Sequence, residues 1–188
     1  YDTTTIQNTR LALRGTGEKL LVNGQIDGIL MDGMRIRQTN LDGTAANNRF
    51  AFTVINKDSI QQDLHGLSGT LSIVDSSYRF QFARDGLLTN YQRWQTDTSG
   101  FAQYGDDGVL VNNLRIEKGP QLLEISNTEA YGNAPIRVTA RALDLANMAR
   151  LANQDTTLAA GQLNGTVIVR DYLTEDSQLS FIGSVYVD

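Results

Sequence analysis

The chain of 188 residues has no cysteine, a single histidine and only two prolines. The absence of cysteine excludes a disulfide framework and thiolate metal sites. With His65 as the one imidazole, a zinc site would have to be built from carboxylates alone, so we expect neither a metal nor another cofactor. The scarcity of proline beside 17 glycines indicates many turns and little rigid linker.

Long apolar runs and basic clusters are also missing. No segment approaches the roughly 18 to 20 apolar residues that a membrane-spanning helix needs. The formal net charge of −5 argues against binding to nucleic acid. Hydrophobic residues make up 40% of the chain and charged residues 20%, which is ordinary for a folded domain. The chain starts at Tyr1 without a methionine and ends in a strand-like segment, so we expect a section of a longer protein.

Candidates for catalysis are few. A lone histidine such as His65 is most often a surface or capping residue. The paired acids Asp106–Asp107 and Glu175–Asp176 lie in turn-like sequence, whereas a general acid needs a buried carboxyl group with a raised pKa. We therefore expect no catalytic residue and no enzyme. The enzymatic alternative is a carbohydrate-active β domain that depends on Asp107 or Glu175.

Apolar and polar residues alternate with a period of two along most of the chain. This pattern is typical of strands with one face against apolar material and the other toward water. Dipeptides that favour positive φ separate the alternating segments and predict tight hairpins. These dipeptides are Asn23-Gly24, Asp27-Gly28, Asp32-Gly33, Asp42-Gly43, Asp85-Gly86 and Asp107-Gly108. The sequence therefore predicts an all-β, antiparallel meander.

One segment, residues 144–152, has the spacing of a short helix. Asp144 can cap its N terminus. Leu145, Met148 and Ala152 would then share one side of the helix.

Several motifs in a fixed order carry a resemblance to a known family. Glycine-led GTLSI at 69–73 precedes YRFQF at 78–82, and LLTNYQRW and VLVNNLRI follow at 87–94 and 109–116. The helical segment 143–151 leads into 158–167 and then 179–187. Over residues 67–188 the chain resembles the TamB family (translocation and assembly module proteins), in the AsmA-like, bridge-like lipid transfer group. The residues before 67 match only in strand character.

The resemblance implies an elongated antiparallel sheet, curled into a U-shaped, β-taco-like form with an apolar inner groove. Residues 1–188 would be a single β-rich section of a periplasmic protein of a Gram-negative bacterium, anchored in the inner membrane. The implied partners are phospholipid acyl chains and an outer-membrane barrel protein of the TamA/BamA type. The implied function is non-enzymatic, namely phospholipid transport and outer-membrane biogenesis. The alternative is a scaffold that assembles outer-membrane β-barrel proteins through docking at strand edges.

The candidate groove lining consists of strand residues on the apolar side of the alternation. Alternation alone cannot distinguish an open groove from a sandwich in which two apolar faces cover each other. Trp94 is interpreted as filling the apolar side of the sheet. The candidate lining residues are Phe50, Phe52, Val54, Tyr78, Phe80, Phe82, Val109, Val111, Val167, Val169, Phe181 and Val185.

Overall fold

The computed structural model describes residues 5–31, 34–151, 161–170, 172 and 180–187. In these residues the chain forms fourteen β-strands and one short helix, α1, which spans Leu145–Leu151. The strands are β1 (Thr5–Thr16), β2 (Lys19–Met31), β3 (Met34–Ala46), β4 (Arg49–Lys57), β5 (Asp63–Val74), β6 (Ser77–Thr89), β7 (Gln92–Thr96), β8 (Phe101–Gly105), β9 (Gly108–Asn112), β10 (Leu114–Lys118), β11 (Gln121–Asn127), β12 (Ile136–Asp144), β13 (Gln162–Arg170) and β14 (Ser180–Val187).

All the strands belong to one antiparallel sheet. Neighbours along the sheet follow the order β1-β2-β3-β4-β5-β6-β7-β10-β11-β12-β13-β14, and β8 pairs with β6 and β9. Successive strands are therefore neighbours almost everywhere, as the alternating sequence and short turns predict. The prediction of an all-β, antiparallel meander is confirmed.

The strand order departs from simple succession between β7 and β10. This segment is one long hairpin, and each of its two arms is interrupted once. Strand β6 pairs with β7 through Leu87↔Trp94 and with β8 through Phe80↔Ala102. Because both pairings use one edge of β6, β7 and β8 are two halves of one arm, and β10 and β9 form the next. The arms break at 97–100 and at 113, and the Asn113 side chain donates to Asp97 Oδ2 at 3.2 Å.

The turns differ from those that the glycine dipeptides predict. Asp107-Gly108 lies at the β8–β9 turn as predicted, and Asp32-Gly33 lies outside the described residues. The other four dipeptides lie inside β2, β3 and β6, so their prediction as turns is wrong. The strands are up to 13 residues long, and their glycines serve cross-strand packing and a bulge instead.

Asparagine is the first residue of two tight turns. The β3–β4 turn consists of Asn47 and Asn48, with φ of 48° and 56°. Asn90 and Tyr91, with φ of 48° and 62°, form the β6–β7 turn. Two consecutive residues at positive φ give the type I′ geometry, whose twist matches that of the flanking strands.

Helix α1 begins where the sequence predicts. The Asp144 carboxylate accepts a hydrogen bond from the backbone N–H of Asn147 at 3.2 Å, which is an N-cap contact. The helix ends at Leu151, and the predicted final residue Ala152 lies outside the described residues.

The sheet is a single layer. The solvent-accessible area is 12161 Å², whereas a compact monomer of 20.7 kDa would expose about 8,900 Å². No large side chain is fully buried among the described residues.

The sheet is also not strongly curled, so the U-shaped cross-section expected from the resemblance is not what the described residues form. Alternation determines which side of a sheet is apolar, but it does not determine curvature.

Candidate functional site

The strand register places all twelve candidate lining positions on one face of the sheet. Residues directly opposite each other in an antiparallel pair lie on the same face. The chain of partners Phe50↔Leu71, Leu71↔Phe80, Phe80↔Ala102 and Ala102↔Val111 links β4 to β9 on this face. A second chain of partners, from Val54 through Leu87 and Ile116 to Val138 and Val167, extends it to β13. We call this side of the sheet the apolar face.

Two of the candidates belong to this face by register alone. Phe181 pairs with Val169, and Val185 pairs with Gly165. The side chains of Phe181 and Val185 lie outside the described part of the chain.

Four phenylalanines form a continuous cluster on the apolar face. The ring centroids of Phe50 and Phe52 are 5.6 Å apart, and those of Phe52 and Phe80 are 6.3 Å apart. Phe80 and Phe82 make an edge-to-face contact at 5.0 Å. All four side chains are half-buried, so the cluster keeps an exposed aromatic surface on β4 and β6.

Glycines make room for this cluster. A Cβ on Gly43 would overlap the ring of Phe50, and a Cβ on Gly69 would overlap the ring of Phe80. Gly43 pairs with Phe52 on one side, and Gly69 pairs with Phe52 on the other. The aromatic rings therefore lie flat across strands that offer no side chain beneath them.

The other described candidates lie on the apolar face away from the cluster or at its margin. Tyr78 pairs with Tyr104 at one rim of the sheet, and their side chains are 56% and 61% exposed. Val111 is buried, while Val109, Val167 and Val169 are half-buried, as is Val54 beside the cluster.

Helix α1 covers part of the apolar face. Beneath it is a cavity of about 100 Å³, whose apolar wall includes Leu87, Trp94, Ile116, Leu123 and Met148. Trp94 is only 8% exposed and lies on this face, which confirms its interpretation as a filler of the apolar side. Its indole N–H donates to the Thr89 hydroxyl at 2.8 Å, so the one polar atom of the ring is satisfied.

The sequence prediction missed apolar-face residues in β1. Leu11 pairs with Gly24 and Leu13 with Val22, which puts both on the same face as the phenylalanines. Their side chains are 63% and 59% exposed. The alternation of Leu11 and Leu13 with Arg10, Ala12 and Arg14 was the available signal.

The opposite face is mainly polar, although Leu88 and Leu122 also lie on it, with side chains that are 8% and 7% exposed. Hydroxyl pairs cross it, such as Thr53 with Ser68 at 2.9 Å and Thr139 with Thr166 at 3.2 Å. Arg115 forms ion pairs with Glu117 at 2.8 Å and with Glu124 at 3.4 Å. The hydrogen bond that the guanidinium group of Arg115 donates to Glu117 raises the pKa of Arg115.

The residues considered for catalysis do not come together. Asp106 and Asp107 are exposed in the β8–β9 turn, while Glu175 and Asp176 lie outside the described residues. The His65 ring accepts a hydrogen bond at Nδ1 from the backbone N–H of Asn90 at 3.4 Å, and burial lowers the pKa of His65.

The described residues include no group of three or more histidine, cysteine or acidic side chains placed to hold a metal ion. The helix that they contain is too short to cross a membrane.

Comparison with protein-family models, with curated proteins and with solved structures finds no match to this chain.

Proposed function

We propose that this chain is a non-enzymatic segment of a lipid-transfer groove, and that its apolar face binds phospholipid acyl chains. The observation that carries the proposal is the half-buried phenylalanine cluster, which lies on a sheet that has no second layer in the described residues. A contiguous exposed apolar patch on a folded protein marks a binding surface. The hydroxyl pairs and ion pairs on the opposite face provide a polar contrast to this cluster.

The dimensions of the apolar face suit acyl chains. An acyl chain spans half of the hydrocarbon core of a bilayer, or about 15 Å. The cluster extends across β4, β5 and β6, and three strands about 4.8 Å apart cover a comparable width. The twelve strand positions of the sheet order extend about 53 Å, enough for several chains side by side.

The setting of this function is taken from the TamB resemblance. In the proposal, the chain is a periplasmic section of an inner-membrane-anchored protein and contributes to phospholipid transport and outer-membrane biogenesis. Because the described sheet is not strongly curled, the proposal places the acyl chains on an open apolar face and not inside a U-shaped groove.

Transport along such a face needs no chemistry. Each methylene group removed from water contributes roughly 0.8 kcal/mol, and the aromatic and aliphatic side chains replace the hydrocarbon around it. Because the face repeats similar side chains from strand to strand, an acyl chain can exchange one set of contacts for the next. The direction of net movement would be set by the membranes and partners at each end.

Photo-crosslinking tests the proposal. A photoreactive phenylalanine analogue at Phe80, or at Val167 on β13, should capture phospholipid in living cells. Gln81 is the matched control, because it neighbours Phe80 and its register partner Thr70 lies on the polar face. Equal labelling at Phe80 and Gln81, or no labelling at either apolar position, would contradict the proposal.

A second candidate function is docking of a β-strand at the edge of the sheet. The twelve residues of β1 pair only with β2 among the described strands, which leaves a long backbone edge for β-augmentation. The partner would be a strand of an outer-membrane barrel protein. Pairing of two β1 edges centred on Ala12 would place Arg10 opposite Arg14, and this like-charge contact disfavours self-association.

The charged substitution Val167→Arg separates the two functions. It places a cation on the apolar face, far along the sheet from β1, without changing the backbone edge. Lipid capture should fall, whereas docking of a strand at β1 should persist. Loss of docking with lipid capture intact would favour the edge function over the groove.

A further inference from the structure

The apolar face becomes more polar toward one rim of the sheet. Its last row before the turns crosses β5, β6, β8 and β9 through the partners Ile73↔Tyr78, Tyr78↔Tyr104 and Tyr104↔Val109. We call these four residues the tyrosine rim. Both tyrosines are exposed, whereas the phenylalanines of the rows further inward are half-buried. Because tyrosine combines an apolar ring with a hydroxyl group, this row suits the boundary between the apolar and the polar part of a ligand.

The distance from the tyrosine rim to the far side of the phenylalanine cluster matches an acyl chain. Tyr78, Phe80 and Phe82 are alternate residues of β6, so the first and the last are about 13 Å apart along the strand. An acyl chain of about 15 Å therefore also fits parallel to the strands. Beyond the cluster, α1 covers the face beside Trp94. A headgroup would meet the helix at that end, and it would meet water at the tyrosine rim.

The turns beyond the tyrosine rim carry carboxylates. Asp75 lies in the β5–β6 turn, and Asp106 and Asp107 lie in the β8–β9 turn; all three are exposed. The two turns are adjacent, because Ser77 packs against Gly105 so closely that a Cβ on the glycine would overlap the serine side chain. The negative charge beside the rim favours a headgroup with an ammonium group over an anionic headgroup.

The arginines of the neighbouring strands do not lie on the tyrosine rim. The guanidinium group of Arg79 donates to Gln103 Oε1 from Nε at 3.0 Å and from Nη2 at 2.7 Å. Arg79 and Gln103 are register partners between two rows of the apolar face, so their side chains belong to the opposite face. Arg49 pairs with Ser72 and belongs to the opposite face by the same alternation. The carboxylates are thus the charged groups beside the apolar end of this rim.

We propose that phospholipids bind with their acyl chains parallel to the strands and with a zwitterionic, ammonium-bearing headgroup over the tyrosine rim. The inference rests on the proposed function, because it gives the lipid on the apolar face an orientation and a headgroup class. The ends of the acyl chains lie over Phe82. The hydroxyl groups of Tyr78 and Tyr104 donate to ester or phosphate oxygens, and the ammonium group faces the carboxylates of the two turns.

Two photoactivatable phosphatidylethanolamines test the orientation. One carries a diazirine in a headgroup that keeps its ammonium group, and the other carries a diazirine at the end of an acyl chain. The headgroup probe should label the tryptic peptide that ends at Arg79 and contains Tyr78. The chain-end probe should label the next tryptic peptide, residues 80–84, which contains Phe82. Mass spectrometry of the digest identifies the labelled peptide.

The labelling patterns separate the inference from the proposed function. Equal labelling of residues 80–84 by both probes would overturn the orientation and leave the proposed function, as would the reversed pattern. No labelling of the apolar face by either probe would remove both. Labelling of Tyr78 by the headgroup probe in vesicles, without labelling of 80–84 by the chain-end probe, would mean that the rim docks on a membrane surface. That result would overturn the inference as well.

Binding of short-chain lipids below their micelle concentration tests the headgroup class. Phosphatidylethanolamine should bind roughly two- to fivefold more tightly than phosphatidylglycerol with the same chains, as expected for exposed charge pairs. Asp106→Asn combined with Asp107→Asn should reduce this preference and keep the turn, because asparagine followed by glycine suits a tight hairpin. The control, Asp27→Asn combined with Asp42→Asn, removes the same charge from β2 and β3. Equal binding of both lipids by the wild type, or an unchanged preference in the Asp106 and Asp107 variant, would overturn the headgroup class.

Discussion

The ring of Phe80 lies over Gly69 on the neighbouring strand, in the space that a side chain at residue 69 would occupy. Gly69 is also the register partner of both Phe52 and Phe82, so this glycine is surrounded by three of the four rings of the cluster. The aromatic surface thus depends on the absence of a methyl group as much as on the presence of the rings.

Gly69→Ala should destabilise the sheet by about 1–3 kcal/mol, the usual cost of overpacking. The new Cβ would meet the Phe80 ring and would lie 2.6 Å from the carbonyl oxygen of Gln81, which belongs to the backbone and cannot move aside easily. Chemical denaturation measures the change. Gly15→Ala is the control, because a Cβ there has no atom within 4 Å. Equal stability of the two variants would contradict the packing described for the cluster.

Loss of the helix cap should expose Trp94. Asp144→Ala removes the side chain that accepts from the Asn147 backbone N–H, at a cost of about 1 kcal/mol for a typical N-cap. Because α1 covers the cavity in whose wall Trp94 lies, we expect the tryptophan emission to shift toward the red in this variant. Asp144→Asn keeps a capping oxygen and should leave the emission near that of the wild type. An unchanged spectrum in Asp144→Ala would mean that the cap does not hold α1 on the sheet.

Stability should fall as the pH decreases through the ordinary pKa of histidine. Burial lowers the pKa of His65 in the folded chain, so below its ordinary value of 6.5 the unfolded chain binds the proton more readily. The free energy of unfolding therefore decreases with falling pH between 6.5 and the lower folded pKa, and this contribution is constant below that. His65→Asn should flatten the dependence while its amide oxygen can still accept from the Asn90 backbone N–H. If the free energy of unfolding of His65→Asn still decreases over this pH range, a group other than His65 is responsible.

The hydrogen bond between Tyr91 and Asp58 should be visible as a shifted carboxyl titration. The Tyr91 hydroxyl donates to Asp58 Oδ2 at 2.6 Å, and this contact lowers the pKa of the Asp58 carboxyl. Tyr91→Phe should return the pKa toward its ordinary value, as measured by carboxyl-carbon NMR. The contribution of the contact to stability is present above the ordinary pKa of 3.8 and is lost as the pH falls through the lower folded value. If the pKa of Asp58 in Tyr91→Phe is the same as in the wild type, the contact is ruled out.

The strands and their common face could be predicted because alternation with a period of two depends only on neighbouring residues. Phe50, Phe52 and Phe80 follow that rule, and the register unites them on one side. The interruption at Asn113 had no such local signal, since it arises from contact with Asp97 on the facing arm.

Tertiary contacts also explain the errors. Asp42-Gly43 has the sequence of a turn, yet Gly43 lies inside β3 because the Phe50 ring needs the space above it. The position of α1 over Trp94 depends on contacts between residues distant in sequence, so helical spacing predicted the helix but not the cavity beneath it. Curvature has no simple sequence signal either, which is why the resemblance led to a more curled sheet than the one observed.

A meander in one layer also behaves as a nearly one-dimensional object. Each strand exchanges contacts almost only with its immediate neighbours, so the free energy of unfolding is close to a sum over adjacent pairs, as in repeat proteins. Unfolding should start at a terminal strand such as β1 and advance hairpin by hairpin instead of in one global step. Such a chain can be lengthened or shortened by whole hairpins without redesign of a core. The length of the sheet can therefore change through duplication or deletion of a few dozen residues.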